Sequence, residues 1–258
     1  MNILIGDIGN TVTKICLVES KKFSIKKIIY FNSVEIKSKK FLKKNFKKII
    51  SKQSFPIKTL FSSVVPKYHK IVKNFLIRNY QIKLNEIKDK NINKLIKVNI
   101  KNRKQVGSDR IANAAGAFVK YKSNCIVLDF GTATTFDVVT TKGMYIGGVI
   151  APGINLSIKS LYKSANQIPF FSIKKQSKVI GKNTLEALNS GFYWGYSGLI
   201  NNIISKIENE TNKKYKIIFT GGYAGLFKTS IKRSFKIYRN ITIKGIIEIF
   251  KHNLKKII

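Results

Sequence analysis

Two short stretches constrain this chain more than anything else in it. Asp7-Ile-Gly-Asn-Thr and Asp129-Phe-Gly-Thr-Ala-Thr are each an apolar run ending in an aspartate, then glycine and small hydroxyl residues, then a second β-like run. Ile3-Leu4-Ile5 lead to Gly6-Asp7 and Val12 to Val18 return, while Ile126-Val127-Leu128 lead to Asp129 and Thr134 to Thr140 return. A device written twice predicts two hairpins of one design and a chain of two related halves. Glycine lets backbone N–H groups come close to an anion, and threonine hydroxyls donate to phosphate oxygens. A carboxylate beside a phosphate repels it unless a cation lies between them, so each aspartate points to a metal-bound nucleotide.

Other chemistries are poorly supplied. Cys16 and Cys125 each lie inside a β-like run, which reads as two buried, reduced thiols rather than a disulfide or a cysteine metal site. His69 and His252 fall outside every glycine-rich motif, which argues against a histidine triad or a zinc site. The chemistry is therefore expected to run on carboxylates. No segment has the length needed to span a bilayer. The start, Met1-Asn2-Ile3, has no basic region before its apolar run, and that run stops at Asp7, so a cytoplasmic protein without a membrane partner is expected.

A surplus of 49 Lys+Arg over 12 Asp+Glu gives a net charge of +37, which by itself suggests nucleic acid. The bases are 44 Lys and only 5 Arg, with the lysines scattered among Ile and Asn. Arg is the residue expected where bases or phosphates are gripped bidentately. The charge is therefore read as the bias of an AT-rich genome making a solvated surface, and specific nucleic-acid binding is not expected. In a chain so poor in acids, four of the five aspartates, Asp7, Asp109, Asp129 and Asp137, lie in or beside Gly- or Thr-rich motifs, and only Asp89 does not.

Along the chain the pattern predicts three strands in the first 30 residues, a helix over Lys37 to Gln53, a strand over Lys58 to Val65, and a helix from Lys67 to Asn79. The seven lysines between positions 37 and 48 read as that first helix's charged outer face. A strand over Leu95 to Ile100 precedes Gly107-Ser-Asp-Arg110, which opens an alanine-rich helix to Tyr121 with Ser108 as N-cap. After the second hairpin come a strand over Met144 to Ile150, a helix from Pro152-Gly153 through Leu161, and a polar loop. A long helix capped by Asn183 or Thr184 then runs to Glu210, striped by Gly191, Gly195 and Gly198 and read as a packing surface. Strands at Tyr215 to Phe219 and Phe235 to Tyr238, around Thr220-Gly221-Gly222, and a helix over Ile241 to Lys255 close the chain.

Taken in order, nine motifs resemble those of type III pantothenate kinases, of the acetate and sugar kinase and actin-like ATPase superfamily. They are Asp7-Ile-Gly-Asn-Thr, Ser62-Ser-Val-Val-Pro66, Gly107-Ser-Asp-Arg-Ile-Ala-Asn113, Asp129-Phe-Gly-Thr-Ala-Thr-Thr135, Gly147-Gly-Val-Ile-Ala-Pro-Gly153, Ala165-Asn-Gln-Ile-Pro169, Gly181-Lys-Asn-Thr184, Ser190-Gly191 and Thr220-Gly-Gly222. The resemblance implies an α/β fold of two RNase H-like domains, over 1–118 and 119–258, each a mixed sheet flanked by helices, with the active site in the cleft between them. It implies ATP-dependent phosphorylation of pantothenate's primary hydroxyl, the first step of coenzyme A synthesis, by a homodimer.

By position, the resemblance assigns ATP to Asp7, Ile8, Gly9, Asn10, Thr11, Val12, Thr13 and Lys14, to Thr132, and to Thr220, Gly221 and Gly222. It assigns pantothenate to Gly107, Ser108, Asp109, Arg110 and Thr184, with Asp109 as proton acceptor, and a monovalent cation, K⁺ or NH₄⁺, to Asp129. Mg²⁺ is expected on the phosphates, with Asp7 its protein partner through water. Asp109 needs no displaced pKa to take a proton late in a loose transition state, and Arg110 suits the substrate's carboxylate. The family's stretch before Gly-x-Asp-Arg carries a tyrosine and then a proline where this chain has Ile100 and Arg103. Two other readings share the fold: a non-catalytic regulator that touches nucleic acid, against which intact Asp7, Asp109 and Asp129 speak, and a kinase of another small alcohol, which Ile100 leaves open.

Overall fold

Every residue of the first strand, β1 (Asn2–Ile8), is buried, and that fixes its place: a strand with no solvent side needs helices on both faces of its sheet. The computed structural model describes residues 2–50, 57–89 and 95–253. They form two compact units, one of Met1–Lys122, Lys142–Ile146 and Asn240–Ile258, the other of Ser123–Thr141 and Gly147–Arg239.

In the first unit, β2 (Val12–Glu19), β3 (Ile25–Asn32) and β4 (Ile57–Ser63) join β1 in the order β3-β2-β1-β4. The β1–β2 hairpin is antiparallel with Asp7 opposite Lys14, and β4 runs parallel to β1 with Ser62 opposite Asp7. Helices α1 (Lys39–Ile50) and α2 (Pro66–Tyr80) bury Leu42, Phe46, Val72 and Leu76 with Leu4, Ile8 and Phe61 in one core. The Phe61 ring lies over Gly6, where a β-carbon would come within 2.0 Å of it. Because strand side chains alternate, Leu4, Gly6 and Ile8 face this core and Asp7 faces the other way. The unit continues with β5 (Lys97–Val98), paired with the segment that begins at Met144, and α3 (Ser108–Tyr121).

The second unit holds β6 (Cys125–Phe130), β7 (Ala133–Val139) and, from Gly147 on, β8 (Met144–Pro152), then α4 (Ile154–Ser164), α5 (Thr184–Thr211), β9 (Lys216–Gly221) and β10 (Phe235–Ile237). Its sheet runs β10-β9-β6-β7-β8. The β6–β7 hairpin is antiparallel with Asp129 opposite Thr135, and β9 is parallel to β6 with Thr220 beside Asp129. Each unit is thus a mixed sheet with helices, built around a hairpin that starts from an aspartate-tipped strand.

The last helix, α6 (Ile241–His252), returns to the first unit and packs on α3 and β1. This segment joins the first unit because its buried face meets α3 backbone to backbone. A β-carbon on Gly245 would lie 1.7 Å from the Ala112 carbonyl oxygen, and one on Gly116 would lie 2.5 Å from the Ile241 carbonyl oxygen. Thr242 Oγ1 donates to Asn113 Oδ1 across the same contact at 2.8 Å.

Several boundaries differ from the sequence pattern. The helix expected over Lys37 to Gln53 is preceded by a 3-10 turn over Ser33–Lys37, and α1 ends at Ile50; the expected last turn, 51–53, lies outside the described residues, as do 254 and 255 of the closing helix. The strand expected over Leu95 to Ile100 is only the two residues of β5. No helix among the described residues is long and apolar enough to cross a membrane.

Candidate active site

In the first unit the hairpin turn after Asp7 is closed by Gly9 N–H donating to the Val12 carbonyl at 3.2 Å. Asn10, Thr11 and Val12 are exposed and Gly9 is half-buried, so this rim is open to solvent. Ile8 and Thr13 turn inward and are fully buried, and the Thr13 hydroxyl is hydrogen-bonded to Ser33 Oγ at 2.8 Å. Of the segment from Asp7 to Lys14, these two side chains therefore build the scaffold, and only their backbone can face a ligand. Lys14 lies 3.8 Å from the buried Asp7 carboxylate, as their opposed register requires.

Asp109 stands in the first turn of α3, whose start is pinned to the end of β4. Ser108 is completely buried; its hydroxyl donates to the Ser63 carbonyl at 3.0 Å, accepts from Ser63 N–H at 2.9 Å and lies 3.1 Å from Ser62 Oγ. The N-cap is Gly107, not Ser108 as the pattern suggested, because the Ser108 side chain is spent on β4 instead of on its own helix. Asp109 folds back so that Oδ1 accepts from Arg110 N–H at 2.8 Å. A β-carbon on Gly107 would lie 2.3 Å from that oxygen, so glycine here leaves room for the carboxylate. Burial pushes the Asp109 carboxyl above its ordinary value, opposed by the Arg110 hydrogen bond and charge. The Arg110 guanidinium lies 5.9 Å from the centre of the Tyr145 ring, a cation–π distance. The sequence reading placed Tyr145 only in a strand and missed this neighbour, which β5–β8 pairing brings in.

In the second unit Gly131 N–H donates to the Ala133 carbonyl at 3.1 Å, giving a tight turn with Thr132 at its tip. Gly221 has φ +86°, and a β-carbon there would lie 2.6 Å from Phe130 N and O and 2.7 Å from Asp129 Oδ1. Glycine is required at this position by conformation and by space. The Thr220 hydroxyl is buried and donates to the Arg239 carbonyl at 3.3 Å, so it too is scaffold, whereas Gly222 faces open ground. Oxygen donors such as Asp129 suit a hard cation. Among the described residues no group of three His, Cys, Asp or Glu side chains comes together, so a magnesium ion beside Asp7 would draw on phosphate and water oxygens more than on protein.

Asn183 caps α5: its Oδ1 accepts from Glu186 N–H at 2.9 Å, while the Glu186 carboxylate accepts from Lys182 N–H at 2.8 Å and from Asn183 Nδ2 at 2.9 Å. Thr184 is exposed at the first position. Gly191, Gly195 and Gly198 meet no atom within 4 Å of a built β-carbon. The packing expected for this stripe is therefore not made by the described residues of the chain.

The fold, with its aspartate-tipped hairpin in each unit, is that of actin-like ATPases and sugar kinases. The ethanolamine utilization protein EutJ from Carboxydothermus hydrogenoformans is similar with a TM-score of 0.56 and 14% identity, over 96% of this chain and 90% of that one. The activator of the 2-hydroxyisocaproyl-CoA dehydratase from Clostridium difficile, solved with bound ADPNP, is similar with a TM-score of 0.56 and 10% identity, over 99% and 97%. The type III pantothenate kinase family model matches residues 3–206. A type III pantothenate kinase of Pelagibacter ubique (strain HTCC1062) is 51% identical over 245 residues, which are 95% of this chain and 97% of the relative. The chain belongs to the type III pantothenate kinase family.

Proposed function

We propose that this protein transfers the γ-phosphoryl group of ATP to the primary hydroxyl of pantothenate, giving 4'-phosphopantothenate and ADP in the first step of coenzyme A synthesis. Family membership supports the reaction, and the half-buried Asp109, held at the start of α3 by Ser108 and by Arg110 N–H, carries the assignment of its proton acceptor. One carboxylate oxygen is fixed by the backbone, which leaves the other to take the hydroxyl proton as the new P–O bond forms and the bond to ADP breaks. Arg110 binds the pantothenate carboxylate, with Gly107, the backbone of Ser108, and Thr184 completing that subsite. The rim from Asp7 to Lys14, with Thr132 and Thr220 to Gly222, binds ATP. Asp129 holds K⁺ or NH₄⁺, and Asp7, through water, holds the magnesium ion, which supplies charge neutralisation on the phosphates.

Given labelled ATP and a panel of small primary alcohols, the purified protein is expected to label pantothenate foremost and to do so faster in K⁺ than in Na⁺. Preferential labelling of another alcohol would overturn the substrate assignment. A homodimer fits the bare face of α5 and the nearby Val179, Ile180 and Leu185, which are 66%, 84% and 50% exposed. Sedimentation at micromolar concentration should give the mass of two chains; the mass of one removes this part of the proposal.

A further inference from the structure

Tyr223 follows the two glycines at the end of β9, and its hydroxyl is hydrogen-bonded to Asn155 Oδ1 in the first turn of α4. The ring is half-buried, and burial raises the phenol above its ordinary value, so at neutral pH the hydroxyl is a donor. The first turn of α4 is itself seated on the Gly131-Thr132 turn: a β-carbon on Gly153 would lie 2.1 Å from the Thr132 carbonyl oxygen and 2.7 Å from that of Gly131. A second tyrosine fixes it from behind. Tyr196 donates to the Pro152 carbonyl at 3.2 Å and lies 2.9 Å from Ser157 Oγ. Next to it in the chain, nothing lies within 4 Å of a β-carbon built on Gly222 or Gly225.

We propose that the Tyr223–Asn155 hydrogen bond is a positioning link for the nucleotide. It ties the turn after β9, on the nucleoside side, to α4 and through Gly153 to the Gly131-Thr132 turn on the phosphate side, so the two grips keep one spacing. The link rests on the assignment of Thr132 and Thr220 to Gly222 to ATP made above. A residue acting this way touches no reacting atom; it affects how well ATP is held and leaves the pantothenate subsite alone.

The test is a double-mutant cycle on the full-length enzyme, with Tyr223→Phe, Asn155→Ala and the double variant assayed over both substrates. Each single change should raise KM for ATP about three- to tenfold, the loss of one neutral hydrogen bond. The double variant should be no worse than the weaker single, with KM for pantothenate unchanged. Additive losses, equal rises in both KM values, or no rise for ATP would overturn the link. Gly222→Val separates this from the reading beneath it, because the open ground tolerates the side chain and only a bound nucleotide would meet it. If Gly222→Val leaves KM for ATP unchanged, the ATP assignment fails; if it raises KM while Tyr223→Phe does not, only the link fails.

Discussion

Asp109→Asn is expected to lower kcat by about 10²- to 10⁴-fold, the range for losing a general base, while the protein remains folded and melts at a higher temperature at neutral pH. The two effects share one cause. Burial makes the Asp109 charge costly and raises its carboxyl above the ordinary value. A carboxyl whose pKa is raised on folding binds protons more tightly in the native state, so its contribution to stability is full below the unfolded value and is lost as pH rises through the folded one. At neutral pH the wild-type protein carries that cost and the amide does not. The same shift sets the acid limb of kcat/KM, which should fall below a pH higher than an unperturbed aspartate would give. Steady-state rates and thermal melts of the two proteins across pH check this; an unchanged kcat, or a variant less stable at neutral pH, would contradict it.

Gly245→Ala should produce the largest loss of stability. Its β-carbon would be driven to 1.7 Å from the Ala112 carbonyl oxygen and 3.0 Å from Gly116 N, both backbone atoms of α3, so no side chain can give way and the two helices must separate. Overpacking of this kind costs about 1–3 kcal/mol and occasionally more, and for a chain of this size each kcal/mol lowers Tm by roughly 2–4 °C. Because Asp109 lies on α3 only three residues before Ala112, activity should fall before the fold melts. Calorimetry beside an activity assay checks both; a Tm within about 1 °C of wild type, well inside the shift expected from overpacking, would mean that α6 is not seated on α3 as described.

What was legible in the sequence was what local chemistry dictates. The twin hairpins follow from apolar runs ending in Asp and Gly, and the helix opening at Gly107 to Arg110 follows from glycine before a run of alanines. Less legible was which hydroxyls serve a ligand and which serve the frame. Thr13, Ser108 and Thr220 lie in ligand-like motifs, yet their side chains are engaged by Ser33, by Ser62 and Ser63, and by Arg239. Those partners come from other segments, and no short window contains them. The return of α6 was hidden for the same reason: an amphipathic pattern says that a helix has a core face, not which sheet covers it. Gly116 and Gly245 were the available signal, a bare spot on each of two helices 129 residues apart.

A structure of the protein with pantothenate bound tests the central claim most directly. The account requires the substrate's primary hydroxyl within hydrogen-bond reach of the Asp109 carboxylate, about 2.6–3.2 Å, with the substrate carboxylate on Arg110. A hydroxyl directed away from Asp109, with no water joining the two, would contradict it.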